Sequence, residues 1–128
     1  MSSHVTSAKF SRLLGLIDLT CAGVMLTYPA LFAELVYPQL TPHGIILAIK
    51  LLGWWRLGRG LCTFSASRYD LGRVAGWLWL ASVPMHCAAL GFYAPELYTS
   101  GWHVSHLALA MWAGRTLSLR PQRRRGLD

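Results

Sequence analysis

Charged residues interrupt apolar stretches of this sequence, and their spacing suggests that they meet. Asp18 interrupts residues 13–33, and Arg56 and Arg59 interrupt residues 44–66. Charges in such segments are expensive to bury and normally face a partner or a wet cavity. Asp18 and Arg59 each lie about seven residues from one end of their segments, roughly 10 Å at 1.5 Å per residue. We therefore expect an Asp18–Arg59 ion pair, with Arg56 one turn away and able to share the carboxylate.

Three interpretations of these charges remain open from the sequence. In the first, a buried ion pair fixes the register of two helices. In the second, the surplus arginine forms a site for an anion or a lipid headgroup. In the third, the long side chains snorkel to the surface. Lys50 belongs to the opposite half of its segment. Lys50 either snorkels toward Glu34 or acts as a catalytic or substrate-binding lysine. Arg115 is close to the end of its stretch and snorkels.

Three histidines lie toward the same end of the predicted segments as Lys50, opposite the end near Asp18 and Arg59; we call this the outer half. Measured from the outer end of each segment at 1.5 Å per residue, His86 is about 12 Å deep and His106 about 6 Å deep, with His103 above them. These groups together form a candidate ligand site, because haem ligation, hydrogen bonding to a quinone and proton relays all use such side chains. Alternatively each histidine bonds a carbonyl or hydroxyl group and nothing binds. Pro84 is expected to bend its helix just before His86, which favours a pocket there.

The elements that position these residues follow from composition. Of 128 residues, 54% are hydrophobic and 13% are charged, about half of the roughly 25% charged residues usual in soluble domains. The sequence contains six Trp and five Tyr, and these residue types are enriched at membrane–water interfaces. This composition excludes a disordered chain, a disulfide scaffold and an ordinary soluble enzyme. It predicts a small integral membrane protein.

Four stretches reach the roughly 20 apolar residues that a spanning helix needs. They cover residues 13–33, 44–66, 74–94 and 102–119, followed by a basic tail at 120–128. The connections are short and contain Pro, Gly and Asp, which favours antiparallel neighbours. We expect an all-α fold, with residues 1–128 forming one up-and-down bundle of four transmembrane helices.

The basic residues set the expected orientation. The first and third connections contain Glu34 and Glu96 but no Lys or Arg. By the positive-inside rule, both termini face the cytoplasm of a cell inner (plasma) membrane. The net charge of +7 then reflects topology and contact with anionic lipid, and no nucleic acid is expected as a partner. The basic residues at the ends and in the second connection are Lys9, Arg12, Arg68, Arg73, Arg120, Arg123, Arg124 and Arg125.

Two short motifs carry a resemblance to a known family. Residues 12–15 (RLLG) open the first stretch, and residues 51–60 (LLGWWRLGRG) form a glycine-rich second stretch. In these motifs and in its layout the chain resembles the short DoxX-like membrane proteins. The resemblance implies a four-helix bacterial inner-membrane bundle, often an accessory subunit. It transfers no catalytic residue.

The leading functional hypothesis is a non-catalytic accessory or interaction subunit of a membrane complex. Trp54, Trp55, Trp77 and Trp112 cannot all point into one four-helix core, so some must face lipid, a protein partner or a second copy. The three cysteines occur singly without zinc spacing, and no metal site is expected.

Two alternatives to an accessory subunit remain. One is a ligand-binding or redox subunit that holds a quinone-like molecule or haem at His86, His106 and Lys50. The other is a small isomerase or cyclase for an isoprenoid or sterol-like lipid. Its acid–base pair would come from Asp18, His86 and the arginines. The sequence leaves both the cofactor and the presence of catalysis open.

Overall fold

The described chain is entirely helical. The computed structural model describes residues 2–37, 42–66, 71–93 and 97–119, and these contain no β-strand. The predicted all-α class is confirmed, whereas the predicted tail at 120–128 lies outside the described residues. The helices are α1 (Ser2–Thr27), α2 (Pro29–Val36), α3 (Pro42–Phe64), α4 (Gly72–Ala81), α5 (Val83–Tyr93) and α6 (Leu97–Ser118).

The first predicted stretch, residues 13–33, is divided between two helices. Tyr28 has φ −128° and ψ 58°, outside the helical region. Proline disfavours helical geometry in the residue before it, and its missing N–H is tolerated in the first turn of a helix. Pro29 therefore ends α1 at Thr27 and begins α2. The prediction of one helix over residues 13–33 is wrong for this reason, and α1 also begins earlier, at Ser2.

A second break separates α4 from α5. The N–H of Ser82 donates to the carbonyl of Trp79, three residues back, over 3.1 Å. Pro84 lacks the N–H that would bond to Leu80, and its ring crowds that carbonyl. The interruption caused by the proline therefore falls at Ser82, four positions before His86 and earlier than the sequence predicted.

Helices α1 and α3 pack closely through glycine. A Cβ atom on Gly15 would lie 2.7 Å from the Cα atom of Phe64, and one on Gly53 would lie 2.9 Å from Cγ of Leu26. Glycine permits this approach because it has no side chain. Since the later residue of α1 contacts the earlier residue of α3, the two helices are antiparallel.

Helices α4 and α6 form a second close pair. A Cβ atom on Gly76 would lie 2.8 Å from the Cα atom of Ser118, and one on Gly114 would lie 2.6 Å from Cγ of Leu80. The order of these contacts again makes the helices antiparallel. The fold therefore contains two glycine-packed helix pairs, α1/α3 and α4/α6, whose facing sides enclose the core.

Buried apolar residues form two separate clusters. The first contains Leu14, Ala75, Trp79, Ala110, Ala113 and Leu117. The second contains Met25, Phe32, Ala33, Val36 and Ile49. Along α1, Asp18 lies between Leu14 of the first cluster and Met25 of the second, and it is 1% exposed. The middle of the core is thus polar, with apolar packing on either side.

Large apolar side chains are exposed on four of the described helices. Leu13, Leu51, Trp77 and Met111, from α1, α3, α4 and α6, are each more than half exposed. Two segments, Ala8–Thr27 and Gly72–Gly91, are long and apolar enough to cross a membrane, with mean hydropathies of 1.4 and 1.3. Within the 18-residue apolar stretch of each segment, only 33% and 28% of the residues are buried. A helix in the core of a soluble protein would bury most of its residues, so these two differ from that case.

Candidate functional site

Asp18 and Arg59 form a salt bridge in the middle of the core. Nε of Arg59 donates to Oδ2 of Asp18 over 2.5 Å, and Nη2 donates to Oδ1 over 2.6 Å. Both residues are 1% exposed. The two parallel bonds match the planar guanidinium to the carboxylate, which is the strongest form of this pairing. Asp18 and Arg59, which the sequence placed at one depth, therefore contact each other in the structure.

Arg59 also connects α3 to α4. Its Nη1 donates to the hydroxyl of Ser82 over 2.5 Å, and its guanidinium carbon lies 3.7 Å from the ring centroid of Trp79. The indole Nε1–H of Trp79 donates to Oγ1 of Thr63 over 3.0 Å, and Thr63 donates to the carbonyl of Arg59 over 2.7 Å. One arginine thus holds groups from both glycine-packed pairs.

Arg56 is buried with much weaker compensation. It is 4% exposed, and its Nη1 lies 3.5 Å from Oδ1 of Asp18. Its guanidinium carbon lies 5.5 Å from the ring of Trp102. Arg59 already holds both oxygens of Asp18, so one carboxylate faces two guanidinium groups. Among the described residues of the core, this leaves a surplus positive charge at Arg56.

His86 and His103 contact each other directly. Their Nδ1 atoms are 3.1 Å apart, and the hydroxyl of Tyr37 lies 2.8 Å from Nε2 of His103. Both histidines are 5% exposed or less. One Nδ1 must donate and the other accept, so the chain from Tyr37 to His86 has two proton arrangements. The rings adjoin one another without space for a porphyrin between them, so this pair does not fit haem ligation.

A cavity of about 50 Å³ lies between the surplus arginine and the two histidines. Its polar lining comes from Arg56, Arg59, His86 and His103. The remainder of its lining is apolar: Met25, Leu52, Trp55, Met85, Ala89 and Trp102. A site of this character orients a largely apolar ligand through a few polar contacts.

The structure does not bring every predicted site residue together. The side chain of Lys50 is exposed and does not line the cavity, which corrects its grouping with the histidines. Lys50 and Arg56 are six residues apart on α3, so their side chains point in different directions and only Arg56 faces inward. His106 is half-buried and its Nδ1 lies 2.8 Å from the carbonyl of Trp102. Its ring centroid is 5.6 Å from that of His86, outside the cavity lining.

The sequence contained no indication of two residues of this site, Tyr37 and Trp102. It offered the surplus arginine as a candidate anion or headgroup site but did not place Arg56 beside the histidines. Neither Tyr37 nor Trp102 had a sequence signal. Trp102 and His103 are neighbours on a helix, and such neighbours do not face each other. Tyr37 follows α2 and reaches His103 only through the fold.

Asp18, one of the candidates for acid–base chemistry, is already engaged by Arg59. Both carboxylate oxygens of Asp18 are held by Arg59, so this group is not available as a general acid or base. Within the described ranges, no three His, Cys, Asp or Glu side chains are placed to hold a metal ion. Comparison with protein-family models, curated proteins and solved structures found no match. The resemblance to short DoxX-like membrane proteins therefore stays a prediction.

Proposed function

We propose that this chain is a multi-pass protein of the inner (plasma) membrane with four spans, formed by α1–α2, α3, α4–α5 and α6. The supporting observation is the inverted distribution of polarity. Large apolar side chains cover the outside of each long helix, while Asp18, Arg56, Arg59 and His86 are buried. Apolar side chains outside and charged side chains inside are favourable when the surroundings are lipid and unfavourable when they are water.

Helix α3 fits this proposal despite its lower average hydropathy. Lys50, Arg56 and Arg59 lower the average of α3, but the two arginines point into the core. Towards the outside α3 presents Leu47 and Trp54, each 63% exposed. Hydropathy averages treat inward and outward residues alike, so they underestimate a helix whose charges are internal.

Helix α1 belongs to the folded bundle in this proposal and is not a removable leader. It supplies Asp18 to Arg59 and packs against α3 at Gly15. Without α1, two guanidinium groups would be left in the core with no carboxylate. Topology is tested with alkaline phosphatase and fluorescent-protein fusions. Fluorescence with a fusion after residue 128, and phosphatase activity with a fusion at residue 40, are expected. The reverse pattern would contradict the proposed orientation.

The function that this site supports best is non-catalytic binding of a lipophilic ligand in the outer half of the bundle. The observation that supports it is the cavity where Arg56, His86 and His103 meet apolar side chains. Native mass spectrometry of the protein, extracted gently from its own membrane, tests it. A small molecule retained in stoichiometric amount is expected. Bare protein with only loosely attached bulk phospholipid would contradict ligand binding.

Exposed tryptophans favour a second candidate, an accessory subunit of a larger membrane complex. Trp54, Trp77 and Trp112 are 63%, 63% and 54% exposed, on three different helices. Aromatic residues are enriched where proteins meet one another and where they meet the lipid headgroups. The same mass measurement separates the candidates, because a subunit of this kind retains a protein partner or a second copy.

A further inference from the structure

We propose that the cavity beside Arg56 binds the oxyanion head of an amphiphile, a carboxylate or phosphate carried on a hydrocarbon chain. This inference rests on the proposed binding function and specifies its ligand class. It distinguishes an anionic amphiphile from a neutral quinone-like molecule.

The surplus charge of Arg56 is the first argument. Guanidinium has five N–H donors, and the hydrogen bond from Nη1 to Asp18 at 3.5 Å is long. In the described part of the chain, every fully buried side-chain nitrogen and oxygen has a hydrogen-bond partner. Arg56 also lines the cavity, so donors that it does not use on Asp18 can serve a ligand there. A bound oxyanion would neutralise the charge and accept from these donors.

The two histidines provide a further donor on the same cavity. When Nδ1–H of His103 donates to Nδ1 of His86, the neutral ring of His86 carries its proton on Nε2. The hydroxyl of Tyr37 then donates to Nε2 of His103. In this arrangement the Nε2–H of His86 can donate to a ligand. A bound anion therefore favours this proton arrangement over the reverse one.

The apolar side of the cavity explains the hydrocarbon chain. Trp55 on α3 and Met85 on α5 line the cavity and are also 37% and 38% exposed. In the described segments, no Cα atom of α3 comes within 8 Å of one of α5. Trp55 and Met85 thus both line the cavity and lie partly on the outer surface, and we place the exit of a chain attached to the head beside them.

The size of the cavity limits the head. Each water molecule occupies at least roughly 10–15 Å³ on this measure, so about 50 Å³ holds a few waters. A carboxylate or phosphate fits this space, whereas a fused ring system requires the side chains to move apart.

The test uses the full chain in nanodiscs of neutral phosphatidylcholine. The probes are palmitic acid, hexadecanol, phosphatidylglycerol and inorganic phosphate, with binding read by native mass spectrometry and by the shift in Tm. We expect one equivalent of palmitate to bind at least tenfold more tightly than hexadecanol. We expect Arg56→Met to weaken palmitate binding by roughly tenfold or more, as for loss of a charge-assisted bond. Arg115→Met, at an exposed arginine of α6, leaves binding unchanged.

The outcomes separate this inference from the proposed function. Equal binding of palmitate and hexadecanol to the unmodified protein would overturn the anion inference while ligand binding stands. No binding of any probe, and no retained native ligand, would overturn both. Inorganic phosphate bound as tightly as either amphiphile would overturn the hydrocarbon part of the proposal. Comparison of palmitate with phosphatidylglycerol shows whether the carboxylate or the phosphate head binds more tightly. Binding of the preferred amphiphile must be weakened by Arg56→Met.

The variant also has a signature without ligand. Because Arg56 is a poorly compensated buried charge, we expect Arg56→Met to raise the Tm of the empty protein. Added palmitate should then produce no further increase. A fall in the Tm of the empty variant would contradict the view that Arg56 is retained for a ligand. The comparison of palmitate with hexadecanol on the unmodified protein needs no variant.

Discussion

The guanidinium of Arg59 stacks on the indole ring of Trp79, with 3.7 Å between its central carbon and the ring centroid. The edges of the same guanidinium are held by Asp18 and Ser82. A cation that contacts an aromatic face and a carboxylate together is stabilised in a setting without water. This side chain is therefore one of the links between the two helix pairs.

Trp79→Phe is expected to lower the free energy of unfolding by about 1–2 kcal/mol. The replacement keeps an aromatic face but weakens the cation–π contact and removes the hydrogen bond from Nε1 to Thr63. Trp77→Phe, on the same helix and 63% exposed, is the matched control and should be close to neutral. Equal losses in the two variants, measured by unfolding in mixed micelles, would show that the buried contacts contribute nothing specific.

Asp18→Asn is expected to destabilise the fold by about 3–5 kcal/mol, because it leaves two buried guanidinium groups without a carboxylate. Glu34→Gln removes an exposed carboxylate and should have little effect. The double variant Asp18→Leu with Arg59→Leu should be more stable than Asp18→Asn, since it removes one of the two unpaired cations. A double variant less stable than Asp18→Asn would argue against this account.

Gly15→Ala is expected to destabilise the protein by about 1–3 kcal/mol, the usual range for overpacking. A methyl group there would meet the backbone of Phe64. Gly23→Ala is the control on the same helix, because no atom lies within 4 Å of its added Cβ. It should be neutral or stabilising, since alanine favours helix by up to about 1 kcal/mol. Thermal unfolding of both variants in one detergent decides the comparison.

His86→Ala is expected to reduce retention of the bound ligand while the helical circular dichroism signal is preserved. His106→Ala should retain the ligand, because His106 does not line the cavity and its Nδ1 lies beside the carbonyl of Trp102. Native mass spectra of both variants measure this difference. Equal retention by the two would move the ligand away from the His86–His103 pair.

The sequence predicted the buried pair because depth along a helix is a simple count. Asp18 and Arg59 meet once their helices are antiparallel, and the helical class followed from the length of the apolar stretches. The placement of Arg56 beside His86 was not predictable in this way. It depends on the rotation of α3 about its axis and on where the chain breaks before Pro84. Lys50 was misplaced for the same reason, since depth alone does not say which way a side chain points.

The close packing of α1 against α3 bears on how the protein is made. Synthesis proceeds from the N-terminus, so Asp18 is already present when Arg59 leaves the ribosome. An arginine at the centre of a single inserted helix costs about 3 kcal/mol, and an antiparallel partner that already carries the carboxylate reduces that cost. In the proposed topology, we therefore expect the first two spans to be released into lipid together as a hairpin. Spacing α1 from α3 with a long loop should then lower insertion yield before it lowers the stability of the finished protein.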